Sequence, residues 1–305
     1  MVFGGESGSF DPSLGVISTA SYGRVYISIK STTGNNLTEA QKVQLVSDFQ
    51  KYNVASITPV IIDPEITYII LDVYFKYNSN KTTKEKSTLV SDVTTTITDF
   101  NDSKLKSFNN VFRHSQLLSL IDDTDTSILN NITNVTLSKR ITPTLNTATG
   151  YNVYFNNALY NPHSEHNKSA GGITTSSGFL VSGDTTNEQF FDDDGNGNIR
   201  RYYLVGVVRT YTDETAGTID YSTGDVKINS LNITSISDVD DVSSITIRIT
   251  SIPDSKDIVP VRNQILEIDM TNTTVTGEID TIAVGAAGAS SSYTTSTSYT
   301  PTKSF

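Results

Sequence analysis

The sequence predicts an α+β protein with a split β-α-β-β-α-β (ferredoxin-like) domain, followed by a mainly antiparallel β domain and a disordered tail. Three observations predict this class. First, apolar residues recur at helical spacing in two segments before residue 145. Second, segments in which apolar and polar residues alternate, as in strands, occur both before and after residue 145. Third, helical periodicity ends after Pro143. The predicted regions are an N-terminal arm (1–22), an α+β domain (23–145), a mainly β domain (146–285) and a flexible tail (286–305).

The α+β domain is predicted from strands and helices that alternate along the chain. Thr38 and Gln41 have the spacing of a capping box, and an apolar stripe at helical spacing runs from Val43 to Tyr52. The predicted strands are residues 24–30, 54–62, 66–77 and 132–140, and the predicted helices begin near residues 38, 83 and 115. The predicted core positions of the long strand and of the second helix are Ile69, Leu71, Val73, Phe75, Leu89, Val93, Ile97 and Phe100.

The second half of the chain carries short alternating segments separated by Gly, Asn, Asp and Ser, as is typical of an antiparallel β domain. The predicted strands are residues 151–160, 178–181, 199–208, 217–221, 226–228, 245–252 and 259–268. The tail at 286–305 is small, polar and without periodicity. We therefore expect it to be disordered, or to become ordered only against a partner.

Composition excludes several classes of protein. The net charge of −11 argues against nucleic acid as a partner, because phosphate binding requires a basic face. The absence of cysteine excludes disulfides and thiolate zinc sites. No apolar run approaches the ~20 residues that span a bilayer, and the first residues have no features of a signal peptide.

The acidic turn in FFDDDGNGNIRRYYL is the sharpest local pattern. Its oxygen-bearing and glycine positions are Asp192, Asp194, Asn196, Gly197 and Asn198. This is the first half of an EF-hand-type calcium loop, but Tyr203 stands where the bidentate Glu is expected, and a strand follows instead of a helix. The alternative, which the residues favour, is an ordinary hairpin turn, since Asp, Asn and Gly tolerate left-handed backbone.

Two histidines and a glutamate form a second candidate metal site. His163, Glu165 and His166 precede Gly171-Gly172, and an H-x-x-H pair can begin a metal site. No third fixed ligand is evident, so a mobile surface turn is the favoured interpretation. His114 begins a predicted helix and is expected to be a cap or surface residue.

A cluster of carboxylates after residue 121 is a candidate for acid–base chemistry. Asp122, Asp123 and Asp125 could in principle act as paired carboxylates. A position at a helix end, before Thr and Ser, favours a solvated loop. The sequence therefore predicts no catalytic residue, no cofactor and no metal, and a carbohydrate-active enzyme ranks last among the hypotheses.

An ordered series of stretches resembles a known family. The stretches are VFGGE, YGRVYISIK, ITPVIIDPEITYIILDVYFKYN, FNNVFRHSQLLSLIDDTDTSILN, DDDGNGNIRRYYL, GTIDYSTGDVKINSLNITSI and DIVPVRNQILEID. Together they resemble the C-terminal half of the large baseplate wedge proteins of T-even-like contractile-tail phages, within the baseplate-J-like group. The resemblance extends over nearly all of residues 2–285.

The resemblance implies a non-enzymatic structural subunit of the virion baseplate, assembled in the host cytoplasm. It further implies a homodimer that also binds neighbouring wedge proteins to close a ring, with no nucleic acid, membrane or small-molecule partner. The long N-terminal half of the family is missing, so we expect a fragment that begins at an added methionine. The alternative function is a calcium-dependent β-rich adhesin or receptor-binding module of a tail.

Overall fold

A computed structural model of the chain describes residues 2–4, 10–11, 16–17, 23–30, 37–52, 57–162, 172–237, 244–261 and 263–284. The predicted tail (286–305) and most of the predicted arm (1–22) lie outside these residues. Within them, the chain is mostly β-strand, and no helix follows Asp122. This confirms the strand-rich second half. None of the described helices is both long and apolar enough to cross a membrane.

Three α-helices, one short 3₁₀-helix (Ser79–Lys81) and seventeen strands occur in the described residues. The helices are Glu39–Gln50 (α1), Lys86–Lys104 (α2) and His114–Asp122 (α3). The strands of the first half are Val2–Gly4 (β1), Phe10–Asp11 (β2), Val16–Ile17 (β3), Arg24–Ser28 (β4), Thr58–Ile62 (β5), Glu65–Tyr77 (β6), Ile128–Ile141 (β7) and Ala148–Tyr154 (β8). The later strands are Thr175–Ser176 (β9), Phe179–Val181 (β10), Asp184–Asp193 (β11), Asn198–Val205 (β12), Val208–Asp220 (β13), Asp225–Ile236 (β14), Ile247–Ser251 (β15), Gln264–Ile268 (β16) and Thr274–Ile279 (β17).

The chain forms two compact units, each assembled from three segments. Unit 1 comprises Met1–Ile70, Lys104–Phe112 and Val135–Glu267. Unit 2 comprises Leu71–Ser103, Arg113–Asn134 and Ile268–Phe305. The long strands β6 and β7 therefore each contribute residues to both units. The division into folding domains at residue 145 stays a prediction, because compactness alone does not establish which segment folds independently.

A small three-stranded sheet in unit 1 includes two parallel strands that are connected by a helix. β4 and β5 are parallel and are connected by α1, while β1 pairs antiparallel with β4. The predicted capping box is confirmed: the Thr38 hydroxyl accepts the Gln41 N–H, and Gln41 Oε1 accepts the Thr38 N–H at 2.9 Å. The apolar stripe of α1 buries no residue, and Val43 is 68% exposed.

Five strands of unit 1 form an antiparallel, barrel-like sheet. β10, β14, β13, β12 and β11 pair in this order, and β10 also pairs with β11, so the pairings close into a ring. The rings of Phe179 and Phe191 are both buried, with centroids 4.7 Å apart. Other buried apolar side chains on these strands are Val181, Ile199, Tyr202, Ala216, Ile219, Val226, Ile228 and Ile233. β12 does not alternate strictly: its buried residues, Ile199 and Tyr202, are three positions apart, and its pairing with β13 shifts register between them.

The buried side chains of unit 2 lie on both a helix and a strand, α2 and β6. The predicted buried face of α2 is confirmed, since Leu89, Val93, Ile97 and Phe100 are at most 2% exposed. β17 lies parallel to β6, with Thr274 opposite Asp72 and Ile279 opposite Tyr77. The lack of a side chain at Gly277 permits this approach, because a Cβ there would lie 2.5 Å from the ring of Phe75.

The ferredoxin-like arrangement is not confirmed. That arrangement requires its strands in a single sheet, whereas β4 and β5 belong to a three-stranded sheet and β6 and β7 to a twelve-stranded one. β17 pairs with β6, although 202 residues separate Leu71 from Thr273 where these segments meet. Local periodicity identifies a strand and its buried face, but it does not identify a partner so distant in the sequence.

The segment predicted as one strand over 199–208 is two strands. β12 ends at Val205 and β13 begins at Val208, and the turn between them is Gly206-Val207. Gly206 has φ +63°, which matches the positive φ that a two-residue hairpin requires at its first position. The glycine was therefore a turn signal within an otherwise continuous apolar run.

Candidate functional site

Asp194 closes the acidic turn between β11 and β12. Its N–H donates to the Asn198 carbonyl at 3.0 Å, and its Oδ1 accepts the N–H groups of Asn196 and Asn198 at 2.7 and 3.0 Å. The Asn198 side chain donates to Oδ2 at 2.7 Å. Gly195 and Gly197 have φ of +75° and +102°, which residues with a Cβ disfavour. The hydrogen bonds to Asp194 and the positive φ of the two glycines thus explain why the turn consists of Asp, Asn and Gly.

The same hydrogen bonds determine the protonation of Asp194. Partial burial raises the pKa of this carboxyl, but the hydrogen bonds from Asn198 and Asn196 lower it by more. The net pKa is therefore below the ordinary value. Asp194 is a negatively charged acceptor whose oxygens are already engaged by the turn.

Asp192 is the centre of a buried ion-pair network. Its side chain is only 1% exposed and lies opposite Arg200 on the neighbouring strand. Arg200 Nε donates to Oδ1 at 3.0 Å and its Nη2 donates to Oδ2 at 3.2 Å. Arg209 Nη1 at 2.6 Å and the Tyr211 hydroxyl at 3.0 Å also donate to Oδ2. Four donors therefore balance one buried carboxylate.

Aromatic rings cover the two arginines of this network. The Arg200 guanidinium lies 4.3 Å from the centroid of Tyr211, and that of Arg209 lies 4.8 Å from the centroid of Tyr202. The Phe190 ring stacks on the Tyr202 ring, and the two centroids are 5.6 Å apart. Cation–π contacts add to the ion pairs, so these interactions connect the middle of the β12–β13 hairpin to Asp192 on β11.

Asp193 is buried beside the same turn and has different partners. Its Oδ1 accepts the Thr174 N–H and its Oδ2 accepts the Tyr221 hydroxyl, both at 2.6 Å. Burial, followed by the bond to Asp193, raises the pKa of the Tyr221 hydroxyl far above its usual range. Tyr221 therefore stays protonated.

This geometry favours the ordinary turn over the calcium loop. Asp192 faces two guanidinium groups, which would repel a cation, and the Asp194 oxygens accept hydrogen bonds from the turn. The Asn196 side chain donates its amide nitrogen to the Asp194 carbonyl at 3.3 Å. In the part of the chain that the structure describes, no three His, Asp or Glu residues are grouped closely enough to hold a metal. That the protein binds no metal stays a prediction.

Sequence reasoning did not find Asp193 or the partners from β13. If the strands before and after the acidic turn are paired antiparallel, Asp192 lies opposite Arg200. This pair could therefore have been predicted from the sequence. Arg209 and Tyr211 lie 17 and 19 residues from Asp192. They could be found only by locating the second turn at Gly206 first.

The histidine candidates have different outcomes. His163, Glu165, His166 and Gly171 lie outside the described residues, so their interpretation stays a prediction. His114 is the first residue of α3, as predicted, and its Nε2 lies 3.0 Å from the Thr133 carbonyl oxygen. This contact connects α3 to β7.

The carboxylates after α3 have structural partners. Asp122 Oδ1 accepts the Asn131 side-chain amide at 2.7 Å. Asp125 accepts the Ser127 N–H at 2.9 Å and forms an ion pair with Lys84 at 2.9 Å. The Ser127 N–H and Lys84 lower the pKa of Asp125. These interactions fit a turn between α3 and β7, not an acid–base pair of free carboxyls.

Comparison with known proteins finds similarity to a family in two successive segments of the chain. Residues 2–62 match the family described as "Baseplate structural protein gp6, C-terminal domain I", and residues 65–140 match "Baseplate structural protein gp6, C-terminal domain III". The baseplate wedge protein gp6 of Enterobacteria phage T4 is 26% identical over 119 residues, which are 39% of this chain and only 18% of that relative. Over residues 2–62 and 65–140, the chain is therefore similar to C-terminal domains of the baseplate wedge proteins of T4-like phages.

Proposed function

We propose that this chain is a structural subunit of the baseplate of a contractile-tail bacteriophage, located in the virion tail. The observation that carries the proposal is the match of two successive segments, 2–62 and 65–140, to domains of a baseplate structural protein. The relative from phage T4 is named a wedge protein, so the proposed position is the wedge. Assembly takes place in the host cytoplasm, before the particle is complete.

The chemistry of the candidate residues supports an assembly role over catalysis. Asp192, Asp193 and Asp194 each accept several hydrogen bonds from the protein itself. A general acid or base needs a carboxyl that can exchange a proton with a substrate. The net charge of −11 also supports protein partners in preference to nucleic acid.

The proposed partners are a second copy of the chain and other wedge proteins. An exposed apolar cluster at the tip of the β12–β13 hairpin supports such contacts. Its members are Leu204, Val205, Val207 and Val208, which are 46%, 59%, 95% and 64% exposed. Contiguous apolar exposure marks association surfaces, and the Asp192 network presents this tip in a fixed orientation, which reduces the entropic cost of binding.

Val207→Asp is expected to weaken self-association by about tenfold or more, because an unpaired charge is costly to bury in an apolar contact. Light scattering over a range of concentrations measures the effect, starting from a wild-type dimer near twice 33.2 kDa. Val43→Asp on α1, also at an exposed valine, is the matched control and should retain the wild-type mass. A monomeric wild type would refute self-pairing. An unchanged Val207→Asp dimer would place the contact elsewhere.

Immunogold electron microscopy tests the location. An antibody raised against this chain should label the baseplate end of contractile-tail particles from cells that express it. The label should persist on isolated tails, since a baseplate subunit remains attached after the heads are removed. Label on heads, or only on free protein, would contradict the proposed function. An antibody pre-absorbed with the purified chain is the control.

A further inference from the structure

The strand β17 presents one edge that no other described strand covers, since its pairing among the described residues is with β6 alone. The Asp280 N–H donates to the Tyr77 carbonyl at 2.8 Å, and backbone N–H groups alternate in direction along a strand. Val275, Gly277 and Ile279 therefore direct their N–H and C=O groups away from β6. These groups form a row of donors and acceptors with which a further strand can pair.

A groove of about 640 Å³ lies beside this edge. Its lining residues are Glu85, Lys86, Ser87, Val90, Val275 and Thr276. Val90 and Val275 are only half-buried, and Ile279 is 46% exposed. The parallel register places Val275 and Ile279 on the same face of the sheet as the buried Val73 and Tyr77 of β6. Apolar surface therefore remains open where the core of unit 2 reaches the edge.

The edge of β17 lacks the residues that usually keep other strands away. Lysine and proline commonly protect an exposed edge, and β17, with the sequence TVTGEI, has neither. Its one charged residue, Glu278, accepts the Tyr74 hydroxyl and lies on the opposite face of the sheet from Val275. An uncharged strand can therefore pair with this edge and cover the groove without burying a charge.

The chain itself supplies an uncharged segment of suitable composition. Residues 285–305 follow β17 directly and lie outside the described residues. Between Gly288 and Pro301 the sequence is ASSSYTTSTSYT, which contains no glycine, proline or charged residue. Threonine and tyrosine favour strands, and proline ends them. Tyr293 and Tyr299 are the large side chains of this segment, and their rings can cover the apolar surface of the groove.

The last described residues bring this segment close to the edge. The Asp280 carbonyl accepts the Val284 N–H at 3.1 Å, and Asn78, which follows β6, donates its side-chain amide to the Ala283 carbonyl at 3.4 Å. From the end of β6, the outer side of β17 is two strand spacings away, roughly 10 Å. Residues 285–291 can span roughly 20 Å. The chain is therefore long enough to return antiparallel to β17.

We propose that residues 292–300 pair as an antiparallel strand with the outer edge of β17 in the same chain and cover the groove beside α2. A tethered segment is favoured over a free one, because its effective concentration at the edge is on the order of millimolar. The tail then becomes ordered against a partner, and that partner is β17 of its own chain. The inference does not depend on the proposed baseplate role.

The test is amide hydrogen exchange of the full chain at single-residue resolution. Wild type is compared with the double variant Thr295→Pro/Ser296→Pro. Adjacent residues of a strand direct their N–H groups to opposite sides, so one of the two prolines removes a bond to β17 in either register. Thr302→Pro is the control, because it lies beyond Pro301 and outside the proposed strand.

The amides of Val275, Gly277 and Ile279 should exchange about tenfold or more faster in the double variant than in wild type, because the strand that covers them is lost. The amides of Thr276 and Glu278 point toward β6, so their exchange should change by less than about twofold. The control variant should match wild type at all five amides.

Three results would overturn the proposal. Fast exchange of the three outward amides in wild type would show that the edge is uncovered. Protection that persists in the double variant would show that another segment covers the edge. Protection that rises with protein concentration would assign the edge to a second copy of the chain.

Discussion

Asp192→Asn is expected to lower the free energy of unfolding by about 3 kcal/mol, the low end of the range for breaking a buried ion pair. The substitution preserves the shape of the side chain but removes its charge, so Arg200 and Arg209 lose their common anion. The low end applies because these arginines are 22% and 44% exposed and can recover some hydration. Urea unfolding, followed by tyrosine fluorescence, measures the loss.

Asp254→Asn is the matched control, because it makes the same chemical change at an exposed position. It should change the free energy of unfolding by less than about 0.5 kcal/mol. A double-mutant cycle with Tyr211→Phe should show non-additivity, since both residues belong to one network. If Asp192→Asn behaves like the control, the network does not stabilise the barrel-like sheet.

Phe75→Ala is expected to lower the free energy of unfolding by about 4 kcal/mol, as a large cavity replaces a buried ring. Phe75 is fully buried in unit 2, and its ring lies directly beneath the backbone of Gly277. The cavity would therefore open under β17, where Gly277 has no side chain to fill it. Urea unfolding reports the total loss, and amide hydrogen exchange should show the greatest loss of protection in β17.

Ile132→Ala is the control in the same unit. Ile132 is 59% exposed, so its truncation should cost about 1 kcal/mol or less. Equal destabilisation by the two substitutions would show that the β6–β17 contact does not limit the stability of unit 2. Unchanged exchange in β17 with Phe75→Ala would argue against the packing described above.

The features that the sequence predicted correctly are local. The buried faces of β6 and α2 follow from periodicities of two and 3.6 residues, and the capping box at Thr38 follows from one three-residue spacing. The apolar stripe of α1 was equally periodic, yet none of its residues is fully buried: Leu45, Val46 and Phe49 are half-buried, and Val43 and Tyr52 are exposed. Periodicity identifies an apolar face but does not show how completely another element covers it.

The features that the sequence did not predict depend on distant partners. The pairing of β6 with β17 spans about 200 residues, and no local pattern in either strand specifies the other. At the acidic turn, the residue types were recognised, but the ligands of Asp192 depended on the position of a second turn at Gly206. The function was predicted from the family resemblance, because no group of side chains in the sequence indicated a substrate.

The parallel pairing of β17 with β6 also has a consequence for synthesis. Leu71 leaves the ribosome long before Thr273, whose hydroxyl accepts its N–H across 202 residues of sequence. At roughly 5–20 residues per second, the first strand waits on the order of tens of seconds for its neighbour. During that interval its edge is uncovered, and an uncovered edge is a template for pairing with other nascent chains. The order of translation thus leaves this edge of β6 in unit 2 unpaired until β17 has been synthesised.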